Sequence, residues 1–195
     1  MANRQYDLVV WGATGFTGKL VVEYLAKTYG VDGDLRWAIA GRNQSKLEEV
    51  RRECLAEQER QHLAIFTADS SDPASLKTLT SRASVICTTV GPYAIYGTAL
   101  VEACATTGTH YCDLTGEVQW MAKVIPLYQE KAQESGARIV HTCGFDSIPS
   151  DMGTWFVQQA MLEQHGVAGN KVSSRMGRSS GAASRRRSRS SRSGG

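Results

Sequence analysis

Cysteine is sparse and unpaired in this chain: five residues among 195, at 54, 87, 104, 112 and 143, with no CxxC motif. An odd, scattered set argues against a disulfide framework or a zinc site, and no metal is expected. No stretch of 18 apolar residues occurs, which argues against a membrane-spanning helix. The N-terminal MANRQYDLVVWG has no long apolar core of a secretory signal, so a cytoplasmic location is expected. At 42% hydrophobic and 21% charged residues, the composition excludes collagen-like, coiled-coil and mucin-like chains.

Acidic residues are missing from one end. The first 170 residues carry 14 Lys and Arg against all 19 acids, a balance of −5, whereas the last 25 carry 8 basic residues and no acid, a balance of +8. That tail has 9 Ser and 4 Gly, and only Val172, Met176, Ala182 and Ala183 are apolar, too little to build a core. Residues 185–192 (RRRSRSSR) have the composition of an Arg/Ser arm that neutralises phosphates. No aromatic residue interleaves these arginines to stack bases, so a solvated, disordered tail is the simpler reading.

What is present is an alternation of short apolar runs with helical periodicity. Strands are predicted at residues 6–11, 35–40, 63–68, 84–90, 109–113 and 137–143. Helices are predicted at about 17–28, 45–61, 72–81, 98–107 and 118–135. Leu20, Val21, Tyr24 and Leu25 are expected to form the buried face of the first helix, and Cys87 and Cys143 to be small buried side chains. Ser150 is expected to cap a further helix from Asp151 that carries Trp155, Phe156, Ala160 and Met161. Strand and helix in strict alternation predict an α/β fold, a doubly wound parallel sheet.

The motif at 12–18, Gly12-Ala13-Thr14-Gly15-Phe16-Thr17-Gly18, falls where the first strand turns into the first helix. Small residues there let backbone N–H groups approach a pyrophosphate, and the helix N-terminus favours negative charge. The second strand ends in Ala40-Gly41-Arg42-Asn43, with Arg42 in place of the acid that would hold a ribose 2′-hydroxyl. A guanidinium pairs with a 2′-phosphate, so the pattern predicts NADP, with NADPH preferred over NADH. Asn43 follows it. Asp69, ending the third strand, is expected at the adenine edge. Thr88-Thr89-Val90-Gly91-Pro92-Tyr93 closes the fourth strand on the ligand edge of such a sheet, where Val90, Gly91 and Pro92 are expected at the cofactor and Tyr93 and Tyr96 would face nicotinamide or substrate.

GATGFTG at 12–18, AGRN at 40–43, TTVGPY at 88–93, THYCDLTGE at 109–117 and CGFDSIPSD at 143–151 resemble, in order and spacing, the saccharopine dehydrogenase-like oxidoreductases. Within that family the chain is most similar to the branch that contains the trans-acting enoyl reductases. The resemblance implies an NADP-binding Rossmann domain over residues 1–150, then a linking helix and the start of a second α+β substrate domain over 151–184. It implies hydride transfer to a lipid-like or other acyl substrate, and places Asp113, Glu117, Asp146 and Ser147 near the cleft between domains. Tyr93, Asp113 and Asp146 are the catalytic candidates; the same two carboxylates, Tyr93, Glu117 and Ser147 are the substrate candidates.

After Ser184 the family pattern gives way to the Arg/Ser tail of residues 185–195, which predicts a chain truncated by a frameshift, an alternative exon or a gene-model error. Apolar Trp155, Phe156 and Met161 would then predict self-association. A peripheral location on membranes or lipid bodies is compatible with the family, though the acidic body offers no basic face for one. The expected function is an NADP(H)-dependent oxidoreductase, inactive if the missing domain is essential. The alternatives are a non-catalytic NADP-binding regulatory protein and a nucleic-acid binder that uses the tail.

Overall fold

The computed structural model describes residues 4–175. The tail expected at 185–195, and the end of the segment expected at 151–184, lie outside the described residues. The chain divides into two compact units, Met1–Pro149 and Ser150–Gly195.

In the first unit, among the described residues, six strands form one parallel sheet: β1 (Tyr6–Trp11), β2 (Trp37–Gly41), β3 (Ala64–Thr67), β4 (Ala83–Thr88), β5 (His110–Asp113) and β6 (Ile139–Val140). Their spatial order is β3-β2-β1-β4-β5-β6, the doubly wound order, with the chain reversing direction across the sheet between β1 and β4. The helices that connect them are α1 (Phe16–Tyr29), α2 (Gln44–Cys54), α3 (Pro73–Thr80), α4 (Tyr93–Tyr96), α5 (Thr98–Thr107) and α6 (Val118–Ser135).

Alternation along the central strands sends side chains into two separate cores. Val10, Ile39 and Ala13 pack with Val22, Leu25, Leu47 and Val50 of α1 and α2. Val9, Trp11, Ala38, Ala40 and Ile86 pack on the opposite face with Leu76, Leu100, Val101 and Val124 of α3, α5 and α6. Each fully buried Val, Ile or Leu contributes about 1.5–3 kcal/mol, which is why these continuous apolar strands hold the middle of the sheet. Local signals set the helix starts. Asn43 accepts the Lys46 N–H at 3.0 Å at the head of α2, and Asp72 accepts the Ala74 N–H at 3.0 Å before Pro73 opens α3.

Several expectations are corrected. The buried face of α1 is Gly18, Val22 and Leu25, while Leu20 and Tyr24 are exposed. Gly18 lies against the backbone of Gly12 and Ala13, and that contact rotates the helix away from the face that hydrophobicity alone selects. The helix expected over 45–61 stops at Cys54, with a 3₁₀ turn at Glu57–Glu59. The sixth strand shrinks to two residues, because Thr142 turns into the left-handed region at φ 61 and its N–H goes to Asp113. Cys143 is exposed and Cys87 only half-buried.

The following helix, α7 (Ile148–His165), begins before Ser150, so Ser150 lies inside it and does not cap it. Beyond Pro149, Gln158 of α7 grips the chain that follows: its side-chain amide donates to Gly169 O and accepts from Gly169 N, both at 2.7 Å. None of the α7 side chains is buried. Among the described residues, no helix is long and apolar enough to cross a membrane.

Candidate functional site

The reversal of chain direction between β1 and β4 opens a crevice at the carboxyl ends of these strands, where doubly wound sheets take their ligands. A cavity of about 240 Å³ lies there, lined by Trp11, Gly12, Thr14, Gly15, Gly41, Arg42, Ser70, Thr89, Val90, Gly91 and Tyr96.

Glycine is required at two points of its floor. Gly12 has φ +88, and a Cβ there would stand 2.3 Å from Val90 Cγ2. A Cβ on Gly18 would stand 2.1 Å from Gly12 O and 2.8 Å from Ala13 Cα, so the first turn of α1 seats directly on the backbone of the β1 turn. The Gly15 N–H closes that turn on Gly12 O at 3.0 Å, and Lys19 N begins the helical ladder on Gly15 O at 2.9 Å. The N–H groups of Phe16, Thr17 and Gly18 precede that ladder and have no helical acceptor. No side chain caps the helix and its first turn holds no acid. Three donors and a positive helix end thus follow directly on the Gly12 and Gly15 floor of the crevice, with no acid in the first turn of α1.

Arg42, exposed at the end of β2, holds its guanidinium 5.8 Å from the ring centroid of Tyr96. The ring keeps the planar fork in place and leaves its edge N–H groups to an anion. Trp11 is buried at the end of β1, and its indole N–H has no partner among the described residues. Thr89 ties the two loops together through Oγ1, which donates to Gly12 O at 3.3 Å.

The other residues expected at the cofactor surround this cavity without lining it. Ala13 is buried, Phe16 exposed, and Thr17 and Gly18 belong to the first turn of α1. Asn43 caps α2. Asp69 Oδ1 accepts both the backbone N–H of Ser71 at 2.8 Å and its hydroxyl at 2.7 Å, bonds that lower its carboxyl below the usual value. It closes the turn ahead of α3, while its neighbour Ser70 lines the cavity. Pro92 immediately precedes α4.

The residues expected at the substrate fall into two groups. Tyr93, Asp113 and Glu117 are engaged in the fold. Tyr93 is buried and stacked on Trp120 with centroids 5.6 Å apart; its hydroxyl donates to Thr88 O at 3.2 Å, and burial pushes its pKa up to about 12. Glu117 accepts the N–H groups of Tyr93 and Ala94 at 2.6 and 2.9 Å, so it closes the start of α4 and not its own helix. Asp113 is buried between His141 and Tyr111. Asp146 is exposed and Ser147 half-exposed in the turn that leads to α7, where Ser147 N donates to Gly144 O at 3.1 Å. Trp11 and Ser70 also line the crevice and were not expected there; they flank Gly12 and Asp69, which were. Gly41 and Thr89 line it too, within the AGRN and TTVGPY motifs.

The sequence profile of the saccharopine dehydrogenase NADP-binding domain matches residues 8–140. The chain belongs to this family. Its fold is the family's parallel NADP-binding fold, and its cofactor is NADP. Over 160 residues it is 50% identical to a Mycobacterium tuberculosis protein provisionally named a trans-acting enoyl reductase. Over 161 residues it is 44% identical to the trans-acting enoyl reductase of Mycobacterium leprae. These matches cover 82% and 83% of the chain, which spans 37% of the length of each relative.

Among solved structures, the apo saccharopine dehydrogenase (L-Glu forming) of Saccharomyces cerevisiae aligns with TM-score 0.60 at 16% identity, over 82% of this chain and 31% of that one. A Citrobacter triphenylmethane reductase complexed with NADP(H) aligns with TM-score 0.53 at 18% identity, over 80% of this chain and 54% of that one. At such identities the likeness is one of fold. The saccharopine dehydrogenase-type domain here has the cradle an NADP pyrophosphate requires: two glycines that admit no Cβ and an uncapped helix start.

Proposed function

We propose that this chain provides the NADP(H)-binding part of an oxidoreductase that reduces an acyl, lipid-like substrate at a carbon–carbon double bond conjugated to its carbonyl. The observation that carries the cofactor half of this reading is Arg42, presented over Tyr96 at the rim of the crevice with no acid at the end of β2. The substrate half is supported by the relatives' names, enoyl reductases at 44–50% identity.

In this reading the N–H groups of Phe16, Thr17 and Gly18 bind the pyrophosphate, and Arg42 takes the 2′-phosphate as a bidentate partner. Thr89, Val90 and Gly91 line the crevice and would hold the nicotinamide end. Bound NADPH supplies a hydride. The chain's own residues orient the dinucleotide and exclude water from one side of it. Tyr93, Asp113 and Glu117 act as positioning residues for this wall, their polar groups being engaged in the fold, while Asp146 and Ser147 are the residues left to meet substrate.

Calorimetric titration tests the cofactor half: NADPH binds at least ten times more tightly than NADH, and equal affinities overturn the reading. Turnover of a 2-enoyl thioester by this chain, read from NADPH consumption, tests the substrate half. A second reading, a non-catalytic NADP-binding protein, is favoured by a crevice lined, among the described residues, without a carboxylate or histidine. Tight NADPH binding with no turnover of enoyl or carbonyl acyl compounds selects it.

A further inference from the structure

Cys87 and Cys112 are direct neighbours in the sheet: the parallel register of β4 and β5 pairs Val85 with His110, Ile86 with Tyr111, Cys87 with Cys112 and Thr88 with Asp113. Ile86 and Tyr111 point into the core beneath α5 and α6. By alternation the two thiols leave on the opposite face, where both are half-buried, and neither belongs to a core cluster. Both are free. Adjacent strands run about 4.8 Å apart, inside the roughly 4.4–6.8 Å that disulfide Cα atoms span.

We propose that Cys87 and Cys112 form a reversible dithiol site that undergoes thiol–disulfide exchange with low-molecular-weight disulfides, and that its oxidised form weakens NADP(H) binding. The paired register sets the two thiols side by side, with the balance favouring the thiolate on Cys87, which takes the attacking role in this proposal. The Cys87 thiolate attacks a sulfur of the small disulfide, forms a mixed disulfide and releases one small thiolate. Cys112 then attacks Cys87 Sγ and releases the second. Two electrons pass from the protein pair to the small disulfide, and the two cysteine protons leave with the released thiols. Side chains on neighbouring strands stand side by side and not tip to tip, so this bond is strained and easily reduced.

The link to the cofactor is one residue long. Thr88 follows Cys87; its Oγ1 accepts the Val90 N–H at 3.3 Å and its carbonyl accepts the Tyr93 hydroxyl at 3.2 Å. Val90 walls the crevice. Pulling β4 onto β5 at Cys87 displaces the anchor of that wall. This second half of the proposal rests on the NADP-binding reading; the first half does not.

The test is to equilibrate the 195-residue chain with oxidised and reduced glutathione and to map it by peptide mass spectrometry after alkylation. The expected product is a peptide pair linked Cys87–Cys112, two hydrogens lighter than its reduced form and restored by dithiothreitol. Cys112→Ser should trap glutathione on Cys87, and Cys87→Ser should leave Cys112 alkylatable. Linkage of either residue to the exposed Cys143, or two thiols still reduced when Cys143 is fully glutathionylated, overturns the site. Calorimetry on the oxidised chain should show NADPH affinity reduced about tenfold, and an unchanged affinity overturns the coupling. A chain that binds NADPH in neither redox state defeats the cofactor reading, while the linked peptide still decides the dithiol.

Discussion

Asp113 Oδ2 stands 2.7 Å from Nδ1 of His141, joining the end of β5 to the residue that follows β6. The carboxylate also accepts the Tyr111 hydroxyl at 2.8 Å and the N–H groups of Thr115 and Thr142, each at 3.1 Å. Burial pushes this carboxyl up, but the bonds from His141, Thr115 and Tyr111 outweigh it and leave the pKa lowered. A group whose folded pKa lies below its unfolded value of about 3.9 contributes stability that is present above that value. The contribution is lost as pH falls through the folded pKa. Asp113→Asn should therefore cost about 1.5–3 kcal/mol at pH 7, the loss of hydrogen bonds to a charged acceptor, and flatten the loss of stability below about pH 4. Urea unfolding at a series of pH values reads both, and an acid limb identical to wild type would contradict the carboxylate's role.

Arg42→Ala should weaken NADPH binding by about 10–100-fold, the loss of a charged hydrogen bond worth about 1.5–3 kcal/mol. NADH binding should stay within about twofold of wild type, since it has no 2′-phosphate to lose. Arg42→Lys should fall between, because an ammonium keeps the charge but not the fork. Calorimetry with both cofactors separates these cases, and equal losses for the two would remove Arg42 from the phosphate.

The glycines make a graded prediction. A Cβ on Gly18 meets backbone at 2.1 Å, whereas on Gly15 the nearest atom is Gly12 O at 3.4 Å. Gly18→Ala should destabilise the domain by about 1–3 kcal/mol, and Gly15→Ala should stay within about 0.5 kcal/mol. Thermal unfolding compares them directly. If Gly18→Ala melts with wild type, α1 does not rest on the β1 turn as described.

Glu117→Gln should expose the head of α4. The bonds to Tyr93 N and Ala94 N, at 2.6 and 2.9 Å, lose their charge assistance, a change of about 1–2 kcal/mol. Hydrogen exchange at these two amides should quicken while exchange in the β1 core stays slow. Uniform acceleration across the sheet would mean that Glu117 supports the whole domain and not one turn.

Patterns in the chain located all six strands because the buried, β-branched runs of a parallel sheet are bounded by glycine or acidic turns, as at Gly12, Gly41 and Asp113. Residues 98–107 and 118–135 were found to the residue for the same reason: a strong helical period lies between clear stops. The misses have long-range causes. The four-residue α4 is held by Glu117, 24 positions away, and no local pattern announces such a partner. The rotation of α1 follows from a backbone contact at Gly18, which hydrophobic spacing does not register. At the candidate site, Gly12 and Arg42 were legible because their chemistry has few substitutes. Ser70 was not, since a hydroxyl just past a strand end reads the same whether or not it lines a crevice.

Trp11 gives the crevice an optical consequence. It is one of four tryptophans in the chain, 2% exposed, and it lines the cavity where the dinucleotide is expected. Its emission overlaps the absorption of a reduced nicotinamide, so a bound NADPH would drain its excited state across the cleft. Occupancy would then be visible as dimmed indole light in the unlabelled protein, and Trp11→Phe would darken that channel without touching Arg42.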